Sequence, residues 1–148
     1  MELKVTLEDR LYSAFEYMHL HTKERLELLN GRLQLMPPSP GAAHQRKCRS
    51  IFQELINQYP KDKFDVFFAP LDIFLDENTV VQPDVFVCLK DQVSERGCEG
   101  APFLVVEVIS PGTKAYDEGK KKELYREYGV KEYWIAYSDR IEKLVFSD

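Results

Sequence analysis

The sequence has few cysteines and no long apolar run, and each shortage excludes a class of protein. Its 148 residues include three cysteines, an odd number without a Cys-x-x-Cys pair, so neither a disulfide framework nor a structural zinc site is expected. No apolar run approaches the roughly 18 residues of a membrane-spanning helix, and the N-terminus lacks a signal peptide's apolar core and cleavage site. We therefore expect a cytoplasmic protein with reduced thiols and no membrane partner.

The sequence also lacks the motifs of several common enzyme classes and any excess of positive charge. The sequence has no phosphate-cradling glycine motif and no recognisable Ser/His/Asp arrangement, so it gives no support for a kinase, a dehydrogenase or a serine hydrolase. The formal charge of −5 and the sequence pI of about 5.3 argue against loose, charge-driven binding to nucleic acid. An acidic protein can still present a local basic face, so a nucleic-acid enzyme is not excluded.

The order of apolar patterns predicts a mixed α/β protein. The length fits one domain, residues 1–148, with a single sizeable core. Asn30-Gly31 between two alternating runs predicts a hairpin. Amphipathic spacing predicts helices over residues 7–19, 42–59 and 114–128. Apolar runs predict strands over residues 64–68, 72–75, 80–89, 103–109, 131–137 and 141–146, with a polar loop at 90–100, and hence a central mixed sheet flanked by helices.

Two acids stand in strand-like segments where only buried apolar residues are expected. Asp84 lies in the run 82–87, and Glu107 lies in the run 103–109, which is the most apolar in the chain. An unpaired buried carboxylate costs several kcal/mol, so such an acid normally has a hydrogen-bonded cation or a metal ion beside it. Two acids on neighbouring strands therefore indicate a site for a hard metal ion.

The helix predicted after Glu107 contains Lys121, whose ammonium group could lie beside the acid. At 100° per residue, Asp117, Lys121, Leu124 and Tyr128 fall within about 60° of one another, so Lys121 faces the sheet. It can pair with the acid on the strand, or it can form an ordinary helical pair with Asp117. Two carboxylates with a nearby lysine are what metal-assisted phosphodiester hydrolysis requires, and oxygen ligands suit Mg²⁺.

Several segments, taken in order, resemble the Uma-type family of bacterial restriction-endonuclease proteins, within the PD-(D/E)XK nuclease superfamily. The resemblance covers roughly residues 25–137 and rests on order and spacing together. Its segments are Gln82-Pro83-Asp84, residues 104–111, Asp117-x-x-x-Lys121-x-x-x-Tyr125, residues 129–134, and upstream residues 26–31, 38–40 and His44.

That resemblance implies a restriction-endonuclease-like fold and a divalent-metal-dependent endonuclease that acts on nucleic acid, with DNA as the expected substrate. Asp84 and Glu107 would hold Mg²⁺ or Mn²⁺, with the backbone carbonyl of Val108 as a further ligand. Cutting both strands of a duplex would suit a homodimer.

The resemblance also implies supporting residues. Glu27 would match the acid that the family contributes from its N-terminal part. Ile109 occupies the usual place of the superfamily's lysine, so Lys121 would be its relocated equivalent on the following helix. Tyr125 would line the same site.

The sequence also allows other functions for the chain and other roles for its polar residues. The main one is a catalytically inactive domain that uses this fold for binding or assembly, with the acids satisfied by Lys121; another is a metal-dependent hydrolase of a small phosphorylated molecule. His44 would touch substrate phosphate at a helix N-terminus, or would cap the helix or face solvent. The basic residues Arg46, Lys47, Arg49 and Lys120–Lys122 would contact a phosphate backbone or form solvated helix faces.

Overall fold

The computed structural model describes residues 10–37 and 40–146. This part of the chain forms four α-helices and eleven strands. The helices are α1 (Ala14–Met18), α2 (Ala42–Gln58), α3 (Lys114–Glu118) and α4 (Lys120–Glu127). The strands are β1 (Leu26–Leu29), β2 (Arg32–Leu35), β3 (Phe64–Phe68), β4 (Asp72–Asp76), β5 (Thr79–Val81), β6 (Val85–Leu89), β7 (Val93–Ser94), β8 (Gly97–Glu99), β9 (Leu104–Val108), β10 (Glu132–Ala136) and β11 (Ile141–Val145).

The predicted mixed α/β class is confirmed, but the strands are divided between two sheets. One sheet has the order β2-β1-β5-β4-β8-β7 and the other β11-β10-β9-β6-β3. In the second sheet β9 runs parallel to β10 and antiparallel to β6. All five residues of β9 are buried, which confirms the expectation that the most apolar run is a central strand.

The second sheet is covered by α2 on one face and by α4 on the other. Ile51 and Leu55 of α2 pack against Leu104 and Val106 of β9. Leu124 and Tyr125 of α4 pack with Val105 and other residues of the opposite face. Since side chains alternate along a strand, Glu107 shares the face of Val105 and so points towards α4.

The hairpin between β1 and β2 follows its sequence signal. Asn30 and Gly31 have φ angles of 49° and 84°, and positive φ at both positions is the condition for a tight two-residue turn. Leu29 is paired with Arg32 across that turn. The turn sets the register of β1, which brings Glu27 into the interior with 3% of its surface exposed.

The strand expected over residues 80–89 is divided, because β5 and β6 belong to different sheets and Asp84 lies between them. The structure corrects three further predicted elements. The helix expected over residues 114–128 is broken at Gly119, which has φ −114° and ψ −85° and separates α3 from α4. The polar segment 90–100 contains a 3₁₀ turn and the β7–β8 hairpin instead of a loop.

None of the helices in the described ranges has the length and apolar composition needed to cross a bilayer.

The third correction concerns the N-terminal helix. Its described part is only α1, which begins after a capping box formed by Ser13 and Glu16; residues 7–9 lie outside the described residues. The apolar residues that suggested this helix are exposed, Leu11 by 60% and Phe15 by 71%. Their spacing therefore did not mark a core-facing stripe.

Candidate active site

The pairing of β6 with β9 brings the two strand acids together. Asp84 lies immediately before β6, and Val85 is paired with Val106. The backbone N–H of Asp84 donates to Glu107 Oε1 at 3.3 Å, and the backbone N–H of Val108 donates to Asp84 Oδ2 at 2.7 Å. The Glu107 carboxylate is thus held by the backbone of Asp84, and the Asp84 carboxylate by the backbone of the residue that follows Glu107. Glu107 is buried, but the Asp84 side chain is 24% exposed, so the expectation that both acids are buried is wrong for Asp84.

Lys121 of α4 lies between two buried carboxylates. Its ammonium is 2.8 Å from Glu27 Oε2 and 3.0 Å from Glu107 Oε2. The Tyr125 hydroxyl donates to the same Glu107 oxygen at 3.1 Å. The backbone N–H of Gln82 donates to Glu27 Oε2 at 2.7 Å. Lys121, Glu27 and Glu107 are exposed by only 2%, 3% and 6%, so this cluster is almost sealed from solvent.

With its acids ionised, the cluster would have more negative than positive groups. Burial raises the pKa of Glu107 well above its ordinary value, although Lys121 acts in the opposite direction. Burial alone would lower the pKa of Lys121, but the carboxylates of Glu107 and Glu27 raise it, so the ammonium keeps its proton. One cation between two acids, with Asp84 beside them, leaves a deficit of positive charge that a bound metal ion would reduce.

The side chains of Glu27, Asp84, Glu107 and Lys121 line a common pocket of about 230 Å³. In the described part of the chain, Asp84 Oδ1 accepts no hydrogen bond, and Glu107 Oε1 accepts only the 3.3 Å bond from Asp84. Both oxygens are therefore available to a ligand in the pocket. Carboxylate and carbonyl oxygens are the donors that Mg²⁺ and Mn²⁺ prefer, so the donor set fits such an ion. Other lining residues include Arg25, His44, Val108, Tyr116 and Asp117.

His44 lies beside the two groups named as metal ligands. Its Nε2 donates to the Val108 carbonyl at 3.1 Å and is 3.5 Å from Asp84 Oδ2. The Asp84 carboxylate beside it raises the pKa of the imidazole. Since its side chain is only 14% exposed, His44 is not a solvent-facing residue, and Gly41 is the N-cap of α2 without any side-chain cap.

The sequence interpretation missed two further residues of the pocket. Asp117 was placed on the sheet-facing stripe and in the family-like segment, as a possible helical partner of Lys121, but was given no role in the site. It is 5% exposed, lines the pocket and forms no ion pair with Lys121. The Tyr116 hydroxyl is buried and has no hydrogen-bond partner among the described residues. The signal for Asp117 was available, because it shares the sheet-facing stripe with Lys121.

Asp117 gives the protein a testable pH dependence. Burial raises the pKa of its carboxyl from 3.8 to about 6. Between these values the folded protein retains a proton that the unfolded chain has lost, so the free energy of unfolding falls as the pH rises. Relative to Asp117→Asn, we expect the wild type to lose roughly 2–3 kcal/mol between about pH 4 and pH 7. Urea unfolding at several pH values measures this, and a constant difference between the two proteins would contradict it.

Comparisons with known proteins agree with the fold. The fold is that of a nuclease-like protein: a crystal structure of a putative nuclease belonging to DUF820 from Anabaena variabilis superposes with a TM-score of 0.69. It shares 19% sequence identity, and the alignment covers 93% of this chain and 81% of that one. The chain belongs to the Uma2 family, described as "Putative restriction endonuclease", whose model matches residues 12–148. No curated protein matches it in sequence.

Proposed function

We propose that the protein is a divalent-metal-dependent endonuclease of PD-(D/E)XK type that hydrolyses phosphodiester bonds in DNA. One observation carries this proposal: Asp84 and Glu107 are interlocked at the end of adjacent strands, beside one pocket, with the Lys121 ammonium 3.0 Å from Glu107. Membership of a family described as restriction endonucleases supports the same activity. Two copies of the chain would serve the two strands of a duplex.

Asp84, Glu107 and the Val108 carbonyl would hold the ion, which is Mg²⁺ or Mn²⁺ in this proposal. When bound, a divalent ion lowers the pKa of water and offsets negative charge on the phosphoryl group. The free oxygens of the two acids, Asp84 Oδ1 and Glu107 Oε1, provide the open coordination positions.

The remaining residues of the cluster act by position and charge. Lys121 keeps its proton, and its fixed positive charge beside Glu107 would orient the attacking water or stabilise the transition state. Glu27 holds the ammonium in place at 2.8 Å. Tyr125 donates to Glu107 Oε2 and so fixes the direction of the other Glu107 oxygen towards Asp84.

Cleavage of DNA tests the proposal. Purified protein would be incubated with supercoiled plasmid in Mg²⁺, in Mn²⁺ and in excess EDTA, together with Asp84→Ala and Glu107→Ala. We expect cleavage by the wild type only, and only with a divalent ion. Equal cleavage by all three proteins would rule the proposal out. A parallel assay on RNA and on small phosphate esters would identify a different substrate class.

A second candidate is a catalytically inactive domain of the same fold. The observation in its favour is that Glu107 Oε2 is already satisfied by Lys121 and Tyr125, so the cluster is stable without an ion. Thermal melts separate the two candidates, because an ion that binds only the folded state stabilises it by about 2.7 kcal/mol at one hundred times its Kd. The proposed enzyme melts at a higher temperature in millimolar Mg²⁺, whereas the inactive domain shows no shift.

A further inference from the structure

A second group of metal-ligating side chains lies on the α2 side of Asp84. His44 and Cys48 are one turn apart on α2, and the His44 Nδ1 is 3.6 Å from Cys48 Sγ. The other ring nitrogen is 3.5 Å from Asp84 Oδ2. One ligand atom from each of these three residues lies within 4.8 Å of the other two. The imidazole therefore stands between a thiol and a carboxylate that come from different elements.

We infer that His44, Cys48 and Asp84 form a binding site for a thiophilic divalent cation such as Zn²⁺. Zn–N, Zn–O and Zn–S bonds of roughly 2.0–2.3 Å place neighbouring ligand atoms of a tetrahedral site about 3.3–3.8 Å apart. A single imidazole binds the ion through one nitrogen, and Nε2 already faces the Val108 carbonyl, so Nδ1 is the ligand atom. Its 3.6 Å contact with Cys48 Sγ lies in that range. One ligand atom from each of the three residues lies within 4.8 Å of the others, so binding needs the group to close by about 1 Å. Three protein ligands leave the fourth position to water, a pattern common for zinc.

The donor set distinguishes this site from the proposed Mg²⁺ site. A thiolate and an imidazole suit Zn²⁺, whereas Mg²⁺ prefers oxygen ligands only. Burial, followed by the nearby Asp84 and Glu107 carboxylates, raises the pKa of the Cys48 thiol to about 12. The thiol is therefore protonated when no cation is bound, and a bound ion displaces that proton to solvent.

The two sites share Asp84, and this gives the second site a regulatory consequence. A thiophilic ion held by Asp84 would occupy one of the two carboxylates needed for the proposed hydrolysis. The structure therefore assigns Zn²⁺ as an inhibitor of Mg²⁺-dependent cleavage that acts through Cys48. This consequence rests on the proposed function, whereas the existence of the metal site does not.

A titration of the full chain with Co²⁺ tests the site without any assay of activity. Tetrahedral Co²⁺ bound to a thiolate gives a sulfur-to-metal charge-transfer band in the near ultraviolet, together with visible d–d bands. We expect the band to saturate at one equivalent and to disappear when excess Zn²⁺ is added. Cys48→Ala should abolish the band, and Cys88→Ala, which removes a buried cysteine from β6, should retain it. No band in the wild type, or a full band in Cys48→Ala, would overturn the inference.

The inhibitory consequence has its own measurement. Zn²⁺ at a small excess over protein should slow Mg²⁺-dependent cleavage at least tenfold in the wild type and much less in Cys48→Ala. Equal inhibition of both proteins would exclude competition through this site. If the cobalt band forms but no cleavage occurs under any condition, the metal site stands and the proposed nuclease function fails.

Discussion

Asp84→Asn is expected to lower the rate of Mg²⁺-dependent DNA cleavage at least about a hundredfold while leaving the chain folded, since metal-ion catalysis supplies several kcal/mol and each 1.36 kcal/mol is tenfold in rate. The amide oxygen of asparagine can still accept the 2.7 Å bond from the Val108 N–H. What is lost is the negative charge that would hold the ion. Glu107→Gln should have an effect of the same size for the same reason.

Initial rates on a labelled duplex, measured over a range of Mg²⁺ concentrations, check this prediction. Asp91→Asn is a suitable control, because Asp91 is an exposed acid of the 3₁₀ turn at residues 90–92 and does not line the pocket. Its rate should equal that of the wild type. Asp84→Asn cleaving within threefold of the wild type would show that the carboxylate charge is not needed.

Lys121→Met should lower the free energy of unfolding by roughly 3–5 kcal/mol, because the loss of one partner leaves buried charges uncompensated. Lys121 is 2% exposed and contacts both Glu27 and Glu107. Methionine fills much of the same volume, so the effect reports the missing charge more than a cavity. For a chain of this size the melting temperature should fall by roughly 10 °C.

A second substitution makes this stability prediction specific. Glu27→Gln in the Lys121→Met background should recover part of the lost stability, since it removes one of the two uncompensated carboxylates. Lys122→Met, at the next position of α4 and only half-buried, should change the stability by less than about 0.5 kcal/mol. A Lys121→Met protein as stable as the wild type would show that the buried acids do not need the ammonium.

Lys121 shows how far helical spacing alone can predict a site. The stripe calculated for one continuous helix placed its side chain towards the sheet, and its ammonium does contact Glu107. The break at Gly119 did not alter that outcome, because Leu124 and Tyr125 of the same helix pack in the core and fix the orientation of α4. The family resemblance implied only that Glu27 belongs to the site; its contact with Lys121 at 2.8 Å is a finding of the structure, and nothing in the spacing of β1 implied it.

The placement of His44 could not be predicted from the chain's local patterns. Its contacts with Asp84 and Val108 join α2 to the ends of β6 and β9. They depend on how α2 packs across the second sheet, through Ile51 and Leu55. Amphipathic spacing identified the buried stripe of α2 but not the height at which the helix crosses the strands. The group of His44, Cys48 and Asp84 was invisible in the sequence for the same reason.

The division of the strands into two sheets had no sequence signal either. Each strand's apolar pattern indicates that it is buried but does not name its neighbour. The parallel pairing of β4 with β8 brings Gly97, with a φ of 146°, against the backbone of Asp72. That approach has no room for a side chain, and it places the polar segment at the edge of the first sheet. The polar composition of residues 90–100 gives no sign of this backbone pairing, so the sequence predicted a loop there.

Crystals grown with Mn²⁺ test the central claim most directly, because the anomalous signal locates the ion. We predict one peak bonded to a carboxylate oxygen of Asp84 and to one of Glu107, with the Lys121 ammonium still at Glu27. Full occupancy of Mn²⁺ at a position that Glu107 does not reach, or no peak beside Asp84 at millimolar Mn²⁺, would contradict the account.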